Sequence, residues 1–249
     1  MKKSKLAKVL TVSLAALMVF GLASCGGGSG KVSDKDITVI SREEGSGTRD
    51  AFTELTGVLQ DDVDKTVDTA EISNSTSVVT QSVAGNDAAI GYISLGSLDD
   101  TVKAVKVDGV EATVDNIKSG DYKIQRPFNI VTKGEVKELP ADFIKFIMSK
   151  DGQKIIEDEG YISVNDNAEA YKASGLKGSI TLAGSTSVSP VMEVLADKYK
   201  ELNSGVTIEI QQTGSGAGIQ STTEGVCDIG MASRELKDEE TSQGLKSEE

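Results

Sequence analysis

Apolar and polar positions along this chain follow two rhythms, and the rhythm changes at glycine and hydroxyl residues. Ile37-Thr38-Val39-Ile40 reads as a strand, and Asp50 to Leu55 as the opening of a helix. Val78 to Ala84 reads as a helix that Asn74-Ser75-Thr76-Ser77 can cap and Gly85-Asn86-Asp87 ends. Ala88 to Ile93 reads as a buried strand, and Val102 to Val107 alternates as another. Tyr122 to Val131 is extended. Ala141 to Met148 is helical, with Phe143, Phe146 and Ile147 on one face, and a short helix restarts through Glu157. After a linker at Ser174–Gly178, Ser179 to Ala183 is a strand. Ser189 reads as an N-cap with Pro190 at the first helical position, and Val191, Val194, Leu195 and Tyr199 share a core face. Val206 to Ile210 is a strand, a short helix runs through Thr223, and Cys227 to Ala232 is the last strand. Strands alternating with helices indicate an α/β fold.

The junctions carry the candidate chemistry. Ser41 to Arg49 (SREEGSGTR), Gly184 to Pro190 (GSTSVSP) and Gly214 to Gly218 (GSGAG) each stand between a strand and a helix. Ser233-Arg234 stands at the end of the last strand. At such a turn several backbone N–H groups point to one spot, with the positive end of the helix dipole behind them. Hydroxyls add donors, and Arg42 adds a permanent forked charge. One such loop alone reads more readily as a plain cap. Several of the same chemistry read as a seat for an oxyanion. Arg126, before Pro127, is either a further cationic reach or a surface residue.

Composition narrows the classes. The 249 residues suffice for one two-lobed domain or two small ones. A net charge of −13 argues against nucleic acid and anionic headgroups as partners, but not against a small anion that responds to local dipoles. The sequence has no His, which removes Ser-His-Asp and Cys-His mechanisms and His-ligated metals. The Asp-rich stretch at 60–69 lacks a Ca²⁺-loop pattern and reads as solvated surface. No metal, cofactor or enzyme activity is expected.

Lys2, Lys3, Lys5 and Lys8 precede an apolar run from Val9 to Leu22 that is short for a membrane span. An ordinary signal peptide or an uncleaved anchor shares those features. Leu22-Ala23-Ser24-Cys25, followed by a Gly/Ser tether, resembles a bacterial lipobox, which implies cleavage before Cys25 and lipidation of its sulfur. Cys227 would then be unpaired, a buried thiol in a strand.

The four junction blocks together resemble the phosphate-binding proteins of bacterial phosphate-uptake ABC transporters, over most of residues 37–240. The resemblance implies a two-lobed α/β fold of the type II periplasmic-binding-protein kind, with the ligand cleft between the lobes. It places the lipoprotein signal peptide at 1–24, the linker at 25–36, one lobe at 37–127 and the second at 128–249. It implies phosphate ligands at Arg42, Ser46, Gly47 and Thr48 from one lobe, and at Ser185, Thr186, Ser187, Ser215, Gly216, Ser233 and Arg234 from the other. Hinge closure over the anion is the implied motion. Implied partners are inorganic phosphate and the transmembrane subunits of an ABC permease. The membrane is met only through the lipid anchor, on the extracytoplasmic face, by a monomer. Within the class the alternative is another tetrahedral oxyanion; outside it, a surface signalling or adhesion protein on the same fold.

Two departures from the family pattern stand out. Family members usually begin with the block matching Gly184–Arg234, whereas here the Arg42 block comes first, with Ser174–Gly178 as the join. After Arg234-Glu235-Leu236 the family continues with a crossing strand and a further helix. Nothing in the sequence after Leu236 reads as that strand, so the second lobe is expected to be incomplete and held by the single crossing near Arg126–Val131. Glu43 or Glu44 is a candidate acceptor for the proton of hydrogen phosphate, or simply exposed.

Overall fold

The structure, a computed structural model, describes residues 36–165 and 167–249. The leader, the lipobox-like run and Cys25 lie outside the described residues.

The first sheet is small, parallel and local in sequence. β1 (Thr38–Arg42) runs through a four-residue loop into α1 (Gly47–Leu55). Ser46 caps α1, its hydroxyl accepting from the Arg49 amide at 3.3 Å. β2 (Leu59–Gln60) and β3 (Val63–Asp64) form a hairpin across Asp61 and Asp62, both at positive φ. Asp tolerates that conformation, so a stretch that reads as irregular folds into a tight turn. Arg49 then fixes the hairpin to α1, with Nε 2.8 Å from Asp64 Oδ2. β4 (Glu71–Ser73) leads into α2 (Thr76–Ala84), and β5 (Ala89–Ile90) follows. The strand order is β4-β1-β5, all parallel.

Two expectations change in this region. The Ala88–Ile93 strand shortens to Ala89–Ile90. Val102–Val107 forms no strand; Val107 makes one isolated bridge to Val110, and Val105 is exposed. Alternation without a partner strand leaves the backbone groups unpaired, and the segment stays irregular. α3 (Val114–Lys118) is a short helix capped by Thr113.

The second sheet gathers the rest of the chain. β6 (Asn129–Lys133) precedes α4 (Glu138–Ile147) and α5 (Lys150–Asp158). β7 (Gly178–Gly184), α6 (Ser189–Leu202), β8 (Val206–Gln212), α7 (Ser215–Glu224) and β9 (Ile229–Ala232) then alternate. α8 (Asp238–Ser242) and β10 (Leu245–Glu248) close the chain. The order is β10-β6-β9-β7-β8; β7 pairs parallel with β8 and β9, while β6 pairs antiparallel with β9 and β10. A strand after Arg234 is thus present, at the edge of this same sheet beside β6. Of Leu245-Lys246-Ser247-Glu248 only Leu245 is buried, so its alternation is too faint to see, yet it pairs along β6 from Lys133 to Ile130.

The pleat sends alternate side chains to opposite faces of this sheet. Ile130, Ile180, Leu182, Ile229 and Met231 join Phe143, Phe146, Val191, Leu195 and Tyr199 from α4 and α6 in the main core. Val131, Ala232 and Leu245 point the other way and meet Ile219 of α7. Each large apolar side chain fully buried in this way contributes about 1.5–3 kcal/mol. One half-buried polar group organises the rim. Asp142 Oδ2 accepts from the hydroxyls of Tyr171 at 2.5 Å, Tyr199 at 2.7 Å and Ser174 at 2.7 Å. This ties α4 and α6 to the segment that leads into β7. Burial opposes ionisation of Asp142, but the three hydroxyl donors outweigh it and hold the carboxyl below its usual range.

Two local expectations are corrected. The N-cap of α6 is Val188; Ser189 is already helical and its hydroxyl turns back to the Ser185 carbonyl at 2.9 Å. Cys227 is buried but precedes β9, with Sγ 3.3 Å from Thr222 Oγ1, and burial raises its thiol pKa.

Candidate functional site

Four helices begin at one hydroxyl cluster. α1 opens with Gly47 and Thr48, α2 with Thr76, α7 with Ser215, and α6 follows the Ser185–Val188 turn. Each N-terminus carries roughly half a positive charge and first-turn N–H groups that have no partner within the helix. The loops that end β1, β7 and β9 bring Arg42, Ser185–Ser187 and Ser233 to the same place.

The contacts run across the two sheets. Thr48 Oγ1 lies 2.8 Å from Ser187 Oγ and 3.3 Å from Ser233 Oγ. Thr76 Oγ1 lies 2.8 Å from Ser187 Oγ and 3.2 Å from Thr186 Oγ1, and the Thr76 amide donates to Thr186 Oγ1 at 3.3 Å. On the five-stranded side, Ser185 Oγ donates to Ser233 Oγ at 3.0 Å, and Ser215 Oγ accepts from the Ser233 amide at 3.1 Å. Apart from the half-buried Thr48, all of these residues are buried.

Arg42 brings a buried charge into the cluster. It is 2 % exposed. Nη1 donates to Thr76 Oγ1 and Nη2 to Thr186 Oγ1, both at 3.1 Å. Nε and Nη2 also hold the two carboxylate oxygens of Glu43 at 2.8 Å. Its backbone amide donates to Tyr92 Oη at 3.1 Å, and the Tyr92 ring stacks on Phe52 at 4.1 Å. Burial raises the Tyr92 pKa, so the phenol stays neutral beside the arginine. Glu43 is therefore not a simply exposed side chain, the other fate open to it in the sequence.

Gly47 is glycine for a spatial reason. A Cβ there would stand 2.5 Å from Ser215 Oγ and 3.0 Å from Ser233 Oγ. Only a bare backbone lets α1 approach the loops of β9 and α7 this closely.

Three expected ligands have other partners. The Ser46 hydroxyl caps α1. The Gly216 amide donates to the Gly45 carbonyl at 2.9 Å, so it joins the two loops rather than facing an anion. Arg234 binds Glu240 through Nη1 and Nη2 at 2.8 and 2.7 Å, and Nη1 also donates to the Glu235 carbonyl at 2.7 Å. Those contacts turn the Arg234 guanidinium toward the segment that follows β9. Arg126 pairs with Glu54 of α1. Conversely, Thr76 belongs to the cluster, although the sequence marks it only as part of a cap. Its signal was present: Asn74-Ser75-Thr76-Ser77 is another hydroxyl-rich strand-to-helix junction.

A cavity of about 920 Å³ lies beside the cluster and includes Thr48 and Ser233 in its lining. Phe52, Val79, Tyr92, Phe128, Val191 and Leu195 are among its walls. The lining is mostly apolar. The dense hydroxyl cluster, with its arginine and helix ends, has the chemistry that an oxyanion needs.

The chain matches the PBP superfamily domain over residues 28–151 and 169–249. It is 51% identical over 254 residues to phosphate-binding protein PstS 2 of Streptococcus agalactiae serotype V, covering 99% of this chain and 86% of that protein. Identity to phosphate-binding protein PstS 2 of Streptococcus pneumoniae serotype 4 is 49% over 243 residues, covering 95% and 84%. With both, the alignment runs through nearly the whole chain, so these relatives share its order of blocks. A crystal structure of a phosphate-binding protein of a phosphate ABC transporter from Streptococcus pneumoniae TIGR4 superposes with a TM-score of 0.69, at 49% identity, over 86% of this chain and 84% of that one.

Proposed function

This chain belongs to the PBP superfamily and, within it, to the phosphate-binding proteins of phosphate ABC transporters, and we propose that the hydroxyl cluster around Arg42 is where it seats inorganic phosphate. The single observation that carries this assignment is the convergence of four helix N-termini and the Arg42 guanidinium on hydroxyls from both sheets.

The reading gives each residue a task. Arg42 supplies two charge-assisted donors. Thr48, Thr76, Thr186, Ser187, Ser215 and Ser233 supply hydroxyls that now satisfy one another and can rotate to donate to phosphate oxygens. The amides of Gly47 and Thr48, in the first turn of α1, add backbone donors. Glu43 already neutralises part of the Arg42 charge. The helix ends therefore carry much of the compensation for the anion, and Glu43, paired with Arg42, is the candidate acceptor for a proton of hydrogen phosphate. Ser46 and Gly216 shape the loops. The protein binds and hands over phosphate without chemical change.

Calorimetric titration with phosphate and with sulfate tests this. One-to-one phosphate binding, weakened by substitution at Arg42, is expected. Absence of phosphate binding overturns the reading.

We further propose that Cys25 is lipidated and that the folded part stands off the membrane on residues 26–35, as a monomer facing a permease on the extracytoplasmic side. The Leu22–Cys25 run supports this. Among the described residues no helix is long and apolar enough to cross a membrane. Intact mass of membrane-extracted protein is expected to show a diacylglyceryl adduct that Cys25→Ala removes; an unmodified Cys25 in the mature protein overturns this.

A further inference from the structure

Arg234 follows Ser233 directly, yet its charge is directed away from the hydroxyl cluster. It is 5 % exposed. Glu240, on α8, holds it in a two-point pair, and the Lys237 amide in turn donates to Glu240 Oε2 at 2.8 Å. Burial works against both charges, but the pair outweighs it: Glu240 is held below its usual range and Arg234 above its own. The guanidinium is thus fixed within the segment that follows β9. Its remaining edge faces Asp50: Nε lies 3.0 Å from Asp50 Oδ2, a charge contact outside hydrogen-bond geometry.

Asp50 belongs to the other side of the seat. It lies in the first turn of α1, two residues after Thr48, whose hydroxyl reaches Ser187 and Ser233. Burial raises the Asp50 pKa; Arg234 and Lys237 oppose that shift, and Glu54 adds to it. The contact between residues 50 and 234 and that between residues 48 and 233 are adjacent links between α1 and the end of β9.

We propose that Arg234 is a positioning residue, a latch that draws α1 onto the end of β9 when the two sheets close on the anion, and not an anion ligand. This rests on the reading of the cluster as a phosphate seat. Glu240 holds the guanidinium in place beforehand, so little conformational freedom is lost when Asp50 arrives. The latch touches no part of the seat directly. It acts by raising the share of molecules in the closed form, and hence the apparent affinity, with its effect on release rather than on capture.

The experiment is a double-mutant cycle on the full chain, with phosphate affinity read by calorimetry and release by stopped flow. Asp50→Asn and Arg234→Gln are each expected to weaken binding about five-fold through faster release, and the double variant to be no weaker than the weaker single. Asp50→Asn alone is also expected to leave the melting temperature of phosphate-free protein unchanged while shrinking the rise that phosphate causes, which a purely structural role would not do. If the wild type binds phosphate but Asp50→Asn binds as tightly or more tightly, or if the two losses add, the latch is overturned and the seat stands. If the wild type binds no phosphate, the seat and the latch fall together.

Discussion

Thr76 Oγ1 and Ser187 Oγ stand 2.8 Å apart although 111 positions separate them in the chain. One begins a helix beside the three-stranded sheet, and the other lies in the turn between β7 and α6. The same Thr76 hydroxyl accepts from Arg42 and touches Thr186. Thr76→Val keeps the shape and removes all three contacts. We expect phosphate affinity to fall about ten-fold, since a hydrogen bond to a charged partner is worth roughly 1.5–3 kcal/mol. Calorimetry at fixed salt decides it; affinity equal to the wild type would place Thr76 outside the seat.

Arg42→Ala removes the guanidinium and leaves Glu43 without its partner. The loss of binding is expected to be about 2–4 kcal/mol, larger than for any single hydroxyl, because charge-assisted bonds in a desolvated site are the strong ones. Arg42→Ala/Glu43→Gln is expected to recover part of it by removing the unpaired carboxylate. The comparison is made by titration with phosphate, and a double variant as weak as the single would deny Glu43 that role.

Gly47→Ala separates closure from folding. Alanine is the better helix former, so the helix itself gains up to about 1 kcal/mol. The added carbon meets Ser215 Oγ at 2.5 Å, however, and holds α1 off the opposite loops. We expect near-normal melting without phosphate and affinity reduced about ten-fold or more through a smaller closed population. Unchanged affinity would mean that the loops part without cost.

Asp142 sets an acid limit on stability. Its folded pKa lies below the usual carboxylate value despite burial, because Tyr171, Tyr199 and Ser174 donate to it. A depressed carboxyl pKa stabilises the fold above the unfolded value, and the gain is lost as pH falls through the folded one. Asp142→Ala is expected to cost about 2 kcal/mol at neutral pH, as loss of hydrogen bonds to a charged group does. Denaturation curves from pH 7 down to about 3, spanning the ordinary carboxylate range, should show a shallower acid decline in the variant. Parallel declines would remove Asp142 from the acid response.

The sequence made the strand-to-helix junctions legible because Gly and hydroxyl residues interrupt apolar runs there, and the same junctions build the cluster. Less legible were elements whose partners lie far away. β4 is three residues long with Ile72 exposed, and it exists because β1 pairs with it. β10 buries only Leu245, and its register comes from β6. Val102–Val107 has the alternation of a strand but no neighbour to pair with. In the site, residue types pointed to the right loops but not to the direction of each side chain. Arg234 turns to Glu240, six residues further along the chain, and Thr76 turns inward from what reads as a cap.

The interleaved strand order also bears on how the chain folds. β1, β4 and β5 pair within residues 38–90, so the three-stranded sheet has all its strands early in synthesis. β6 has no such company. Its Val131 pairs with Gly230 and its Ile130 with Glu248, so about a hundred residues must follow before either edge is satisfied, a long-range closure that slows folding. Until then Ile130 and Val131 sit on a strand with two open edges. Pulse-labelled hydrogen exchange should show the amides of β6 gaining protection together with those of β9 and later than those of β1. In a cell, that interval is when a holding chaperone has most to cover, and it covers the middle of the chain rather than either end.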